Sequence, residues 1–339
     1  MAVPTPAEAA SGALLERRYR LDEVLSEAEG TRLWRGADTL VGELPVAIRA
    51  WWGLTDEELA ALRQRLERLK AVLHPQIPRL GEQLPADGGC WQVREWISGR
   101  TYQDLLQARQ ERQLVFGSGE VLLLLRQLLP ALAALHGQNL VHGDLTPANL
   151  VRRDSDGLPV LIDFGLHAAV VGRPLTAATA GYAPPQARHE PYRLWMDLYS
   201  LGVVALVLLS GEEPAALMDP VSLAWRWPEG IDLDAAFRQV LERLLSTSPE
   251  QRFNSAAAVA EALTALPVPE STGPVSRSDR TAVLLPQLKP EQPAEASPAP
   301  SSTRPTRDER RRAKEQAAEG RCWPVVIALL LAALVGSAL

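Results

Sequence analysis

Cysteine and lysine are both scarce in this chain of 339 residues. The two cysteines, Cys90 and Cys322, lie far apart, which excludes a disulfide-built scaffold and a cysteine-rich metal site and fits a reducing compartment. Lysine occurs only at 70, 289 and 314, so the 35 basic residues are 3 lysines and 32 arginines. Any chemistry that needs an ammonium group therefore has one candidate, Lys70, before residue 270. The 5 histidines show no metal-ligand spacing. A net charge of -6 argues against nucleic acid as the main partner. What is present is ordinary globular composition, 46% hydrophobic and 22% charged, which excludes a chain disordered throughout and a polytopic membrane protein. The first residues, MAVPTPAEAASGALL, lack the basic start and continuous apolar core of a signal peptide, so Sec-type export is not expected.

The other end reads differently. Residues 323 to 339 carry no charge, and 17 residues of helix at about 1.5 Å each would span roughly 25 Å, the low end for a membrane crossing. A C-terminal transmembrane anchor over 322–339 is the expectation, with a buried core helix as the alternative. Between Arg304 and Arg321 there are seven Lys or Arg against four Asp or Glu, which places the body on the cytoplasmic side. Residues 267 to 305 hold nine prolines among Ser, Ala, Glu and Gln, so 267–321 reads as a disordered tether. That leaves an extension over 1–18 and one folded body over 19–266.

Within the body, strand-like runs at Arg20 to Leu25, Thr31 to Arg35, Leu44 to Trp52 and Cys90 to Trp96 alternate with turns. One helix interrupts them, with a Thr55/Glu58 capping box and Leu59, Leu62, Leu66, Leu69 and Leu73 at helical spacing. From Glu120 onward helical patterns dominate. The expected fold is α+β and two-lobed, a small β-rich lobe with one helix followed by a larger helical lobe, with a cleft between. At the junction lie LVHGDLTPANLV and VLIDFGL. Asp144 and Asn149 sit five apart on a loop, and Asp163 follows an apolar strand and precedes a glycine. Such a set of oxygen donors suits Mg²⁺, which prefers a few carboxylate or amide oxygens beside phosphate and water.

HGD at 142 to 144, Asn149, DFG at 163 to 165, GYAPP at 181 to 185, MDLYSLG with Asp197, and PEQR ending at Arg252 occur in order. This set resembles the eukaryotic-type protein kinase family, most closely the bacterial Ser/Thr kinases, over roughly 19 to 266. The resemblance implies a kinase-like fold, ATP and Mg²⁺ as cofactors, and a protein substrate or signalling partner. It makes Asp144 the base or orienter for the substrate hydroxyl, with Asn149 and Asp163 holding Mg²⁺. Thr146 stands for the catalytic-loop lysine, and Thr179 matches the threonine that contacts the catalytic loop. Ser26, Ala28 and Thr31 fall on the three glycine positions of the phosphate-covering loop. Ala47 and Arg49, in VAIR, fall on the nucleotide-binding strand, and Glu95, Trp96 and Ile97 on the adenine-binding hinge.

Several positions depart from the family. Arg49 replaces the phosphate-binding lysine with a bulkier planar group. Counting back nine residues from His74 puts Arg65 where the lysine's glutamate partner belongs, with Glu58 or Glu67 as possible substitutes. Gly143 removes the arginine that would bind a loop phosphate. Gln186 replaces the glutamate that pairs with Arg252, and Arg94 puts a charge at the gate of the adenine pocket. The reading that follows is a membrane-anchored kinase-like protein that binds Mg-ATP but transfers phosphate poorly. The alternatives are an active atypical Ser/Thr kinase, with Arg49, Arg32 or Arg35 supplying the missing cation, and a nucleotide-independent membrane adaptor.

Overall fold

The computed structural model describes residues 5–165, 181–227, 231, 233–268 and 273–276. The expected tether beyond 276, the anchor at 322–339 and Thr179 lie outside the described residues.

The chain opens into six antiparallel strands: β1 (Leu14–Leu15), β2 (Tyr19–Ala28), β3 (Thr31–Asp38), β4 (Leu44–Trp52), β5 (Leu80–Ala86) and β6 (Gly89–Glu95). Their order in the sheet is β1-β2-β3-β4-β6-β5. β4 reads as a near-continuous apolar run because it is central and covered on both faces: Val46, Ala47, Ile48, Ala50 and Trp51 are all buried. The body begins before residue 19, since Leu14 and Leu15 pair with Arg20 and Tyr19 and Leu15 is buried in the sheet's core with Leu21, Trp34, Ile48 and Trp91.

Between β4 and β5 runs α1 (Asp56–Lys70). Its start is the expected capping box, in which Glu58 N donates to Thr55 Oγ1 at 3.2 Å and Thr55 N donates to Glu58 Oε2 at 2.8 Å. Three acidic residues in the first turn, with Arg68 and Lys70 in the last, suit the helix dipole. Leu62, Leu66 and Leu69 face the core, but Leu73 is 86% exposed, because the helix ends at Lys70 and the chain turns before the apolar spacing is used up.

The second lobe contains β7 (Gly99–Thr101), α2 (Tyr102–Gln110), β8 (Leu114–Val115), α3 (Ser118–Gly137), β9 (Leu150–Arg153), β10 (Pro159–Leu161), α4 (Leu194–Ser210), α5 (Pro214–Leu217), α6 (Ala235–Leu244) and α7 (Ala256–Thr264). A last strand, β11 (Val275–Ser276), pairs with β8. Every residue of α4 from Trp195 to Ser210 is buried, as expected for a helix apolar on all sides that forms the centre of a helical lobe. α6 packs on it so closely that a Cβ on Gly202 would stand 2.9 Å from Leu244 Cβ.

The one carboxylate of α4, Asp197, is fully buried and organises the loop above it. Its oxygens accept from His142 N at 2.8 Å and Gly143 N at 2.9 Å, and lie 2.9 Å from His136 Nε2. Asp197→Ala would strand two buried backbone donors. It is expected to lower stability by on the order of 3 kcal/mol, or roughly 6–12 °C in thermal midpoint at this size, as read by thermal unfolding of the full chain.

Candidate active site

The site is built from the inner face of β4 and β6 above and the ends of β9 and β10 below. The loop from Leu140 to Asn149 carries Asp144 and Asn149. Asn149 Nδ2 donates to Asp144 Oδ2 at 2.8 Å and to Asp144 O at 2.9 Å, so the amide fixes the carboxylate's rotamer. Thr146 N-caps the short 3-10 turn over Pro147–Asn149, and Asn149 N donates to Thr146 O at 3.0 Å. Asn149 O accepts from Ile162 N at 2.9 Å, which sets Asn149 beside the residue preceding Asp163.

His142 ties the two stretches together. Its Nε2 lies 3.0 Å from Ile162 O and its Nδ1 3.3 Å from Asp144 N. The backbone N–H can only donate, so Nδ1 accepts and Nε2 carries the proton to Ile162 O. Burial holds its pKa below the ordinary imidazole value, which keeps this neutral tautomer. Gly165 N donates to His142 O at 2.8 Å, and a Cβ on Gly165 would stand 2.9 Å from Gly143 O, so only glycine permits this approach.

Asp163 itself adopts φ +54°, a left-handed conformation uncommon outside glycine. Its carboxylate is held from above by two guanidinium groups on one oxygen: Arg94 Nη2 at 2.6 Å and Arg49 Nη2 at 3.0 Å from Oδ1. Sheet register explains the convergence. Arg94 pairs across strands with Ala47, two residues from Arg49, so both arginines project from the same face of the sheet. Burial alone would raise the Asp163 pKa, but Arg49 and Arg94 outweigh it and bring it down to about 2. Arg94, 12% exposed, has its own pKa lowered by burial.

Other expected contacts fall out differently. Thr31 Oγ1 donates to Ala50 O at 2.9 Å and so holds the β2–β3 hairpin to β4, while Ser26 and Ala28 stand exposed on β2 before a two-residue turn at Glu29 and Gly30. Among the candidate replacements for the missing lysine, Arg49 alone is shown reaching the site. Arg32 pairs with Glu27 at 2.5 Å and Arg35 lies 5.4 Å over the Trp96 ring. Neither Glu58 nor Glu67 takes the place of the helix glutamate. Glu58 caps α1 and Glu67 accepts from Gln83 Nε2 at 2.9 Å. Glu95, at the expected hinge, receives Arg79 N on its side chain at 3.1 Å, and Ile97 is buried with Val151 and Val160. Ala47 is wholly buried beside Arg94, its partner on the neighbouring strand.

One residue gains a role that sequence reasoning did not assign. Arg94 was conspicuous as a charge in an apolar strand, but its partner lies 69 residues on. Gln186 Oε1 and Arg252 Nε are both buried without a hydrogen bond, so the glutamine does not stand in for the missing glutamate through these atoms.

A carboxylate and an amide are oxygen donors of the kind Mg²⁺ accepts, and in that chemical sense Asn149 and Asp163, joined through the Ile162 N to Asn149 O bond, fit the ion. The charge around them works the other way, since Asp163 already faces two cations within 3.0 Å.

The sequence model for the protein kinase domain matches residues 54–264. The chain belongs to the protein kinase family. It is 32% identical to serine/threonine-protein kinase C of Synechocystis sp. over 275 residues, 74% of this chain and 50% of that protein. It is 32% identical to serine/threonine-protein kinase PknA of Nostoc sp. over 221 residues, 60% of this chain and 38% of that protein. Against PknA of Mycobacterium tuberculosis the identity is 28%, over 80% of this chain and 68% of that protein. The chain thus spans half or less of the cyanobacterial kinases it matches. Among solved structures, the PpkA-294 apo form aligns at TM-score 0.60 and 22% identity, covering 76% of this chain and 99% of that one. The PknI kinase domain of Mycobacterium tuberculosis aligns at TM-score 0.59 and 23% identity, covering 76% and 98%. These two show the two-lobed kinase fold. The family model and the sequence relatives make the body a Ser/Thr protein kinase-like domain, of a family that in general uses ATP, Mg²⁺ and protein substrates.

Proposed function

We propose that this kinase domain binds Mg-ATP between its lobes and transfers phosphate poorly, acting in signalling through protein contacts. The observation that carries the reading is the double ion pair on Asp163. In the family the strand lysine binds phosphate and the carboxylate holds metal. In this chain the group in the lysine's place, Arg49, is bonded to that carboxylate at 3.0 Å, and Arg94 joins it at 2.6 Å. Charge-assisted bonds of this kind are among the stronger polar contacts, so either partner is costly to withdraw. Asp163 and Asn149 are the residues that would hold Mg²⁺, which supplies neutralisation of phosphate charge when bound. Asp144, fixed by Asn149, is the residue that would orient a substrate hydroxyl, and Thr146 and Thr179 would stand beside it.

A second reading, an active Ser/Thr kinase, is favoured by the intact Asp144–Asn149–Asp197 framework. A nucleotide titration by thermal shift together with a phosphate-transfer assay on the full chain separates the two. The proposal expects stabilisation by Mg-ATP with weak transfer, while robust turnover abolished by Asp144→Ala would establish the active reading. No shift with nucleotide would remove both and leave an adaptor. Arg49→Lys is expected to raise transfer tenfold or more, about 1.4 kcal/mol of barrier, by restoring a compact ammonium to the strand. We further propose that residues 322–339 anchor the protein to a membrane with the kinase domain on the cytoplasmic side. Recovery of the full chain, but not of a chain ending at 321, in the membrane fraction would test it.

A further inference from the structure

A cavity of about 600 Å³, with neither Asp163 nor its two arginines in its lining, is lined by Arg65, Arg68, Arg193 and Arg252 with Tyr192 and Trp195 among its walls. No Asp or Glu is among the described lining residues. Substitutions in this chain account for two of the missing carboxylates. Arg65 stands where the family resemblance places a glutamate, and Arg252 is the arginine whose glutamate counterpart is Gln186. Arg65 Nε and Arg252 Nε are both buried without a hydrogen bond. Arg252 is braced by the Trp195 ring, 3.9 Å from its centroid, which orients the guanidinium without neutralising it. Arg68 donates to the carbonyls of Gln138 and Asn139, bonds that position it but carry no opposing charge.

The nearest acidic influence on Arg65 is Asp197, and that carboxylate is already engaged by His142 N, Gly143 N and His136. Burial and the charge of Arg68 both press the Arg65 pKa downward, the signature of a cation short of a counterion. Glu250 acts on Arg252 only from outside the cavity's described lining, and four guanidinium groups on one cavity with no carboxylate in that lining are unfavourable unless an anion joins them. Arginine forks match tetrahedral oxyanions through paired N–H donors. A monocarboxylate would leave most of the charge unanswered, whereas a phosphate monoester brings close to two negative charges and three acceptor oxygens. We propose that this cavity is an oxyanion site that takes a phosphate monoester, either a phosphorylated side chain of a partner protein or free phosphate, independently of the nucleotide cleft.

The test is a titration of the full chain with inorganic phosphate, a short phosphoserine peptide and the same peptide unphosphorylated, at ionic strength held constant with KCl. Thermal shift and calorimetry are the readouts. The expected result is saturable binding of phosphate that weakens at least tenfold in Arg65→Gln/Arg252→Gln. A loss of at least threefold is expected in Arg68→Gln, whose exposed side chain can be removed without disturbing the core. Phosphopeptide binding at least tenfold tighter than phosphate, with none by the unphosphorylated peptide, would identify a phosphorylated partner as the source. Equal affinity for the two would point to free phosphate. Absence of saturable binding, or binding unchanged in both Arg68→Gln and the double variant, would overturn the proposal.

Discussion

Asp163→Asn is expected to destabilise the folded chain by about 3–5 kcal/mol, the usual cost of deleting one partner of a buried ion pair. The reason is specific to this molecule. Removing the carboxylate leaves Arg49 and Arg94, 21% and 12% exposed, facing each other without a counterion. Were Asp163 serving only as a metal ligand, its loss would abolish catalysis with little effect on unfolding. Chemical denaturation of the full chain reads the difference. The double variant Asp163→Asn/Arg94→Met should recover much of the loss, because it removes the buried cation that the single variant strands, and a double-mutant cycle then gives the coupling directly. The same pair makes a pH statement. The Asp163 pKa is depressed to about 2, so its stabilising contribution is complete above the unfolded carboxylate value near 4 and is lost as pH falls from there toward about 2. In Arg94→Met that acid limb should be shallower.

Arg94→Met carries the second large effect, an increase in Mg²⁺-dependent phosphoryl transfer of at least tenfold, or about 1.4 kcal/mol. Arg94 makes the shorter of the two contacts to Asp163, and its side chain is the more buried. Methionine is unbranched and fills an irregular apolar space without a charge. The variant leaves Asp163 with one guanidinium to exchange for a metal instead of two. Combination with Arg49→Lys should give the greatest transfer, and the two effects should not add independently, because both residues act on the same oxygen.

Much of this fold could be read from the chain because its signals are local. Thr55 and Glu58 sit three apart and form the capping box that starts α1, and within the stretch from His142 to Asn149 the amide of Asn149 fixes Asp144 five residues before it. The strand at Leu44–Trp52 announces itself by composition, being central in its sheet. Two strands of the six-stranded sheet escaped, as did the short strands of the second lobe other than the one before Asp163. β5, with the sequence LGEQLPA, has no clean alternation because it is an edge strand with a register shift, and β1 is only two residues long. The pattern of leucines overran α1 to Leu73 because periodicity alone does not mark where a helix stops.

The candidate site divides along the same line. Asp144, Asn149 and Asp163 were legible, being close in sequence and chemically distinctive. The Arg49–Asp163–Arg94 arrangement was not, although Arg49 and Arg94 each stood out as an unusual residue for its position. Three residues at 49, 94 and 163 are joined by the β4–β6 register and by the packing of the two lobes, and neither is encoded in any short window. The cavity with Arg65 and Arg252 has the same origin, two departures from a family pattern that only the fold brings together.

The most direct test of the proposal that two arginines keep Asp163 from Mg²⁺ is the affinity of the full chain for ATP with excess Mg²⁺ and with EDTA, measured for the natural sequence and for Arg94→Met. Mg²⁺ is expected to improve ATP affinity at least tenfold more in Arg94→Met than in the natural sequence. An equal gain in both would contradict it, because the carboxylate would then be as available to the metal with Arg94 present as without it.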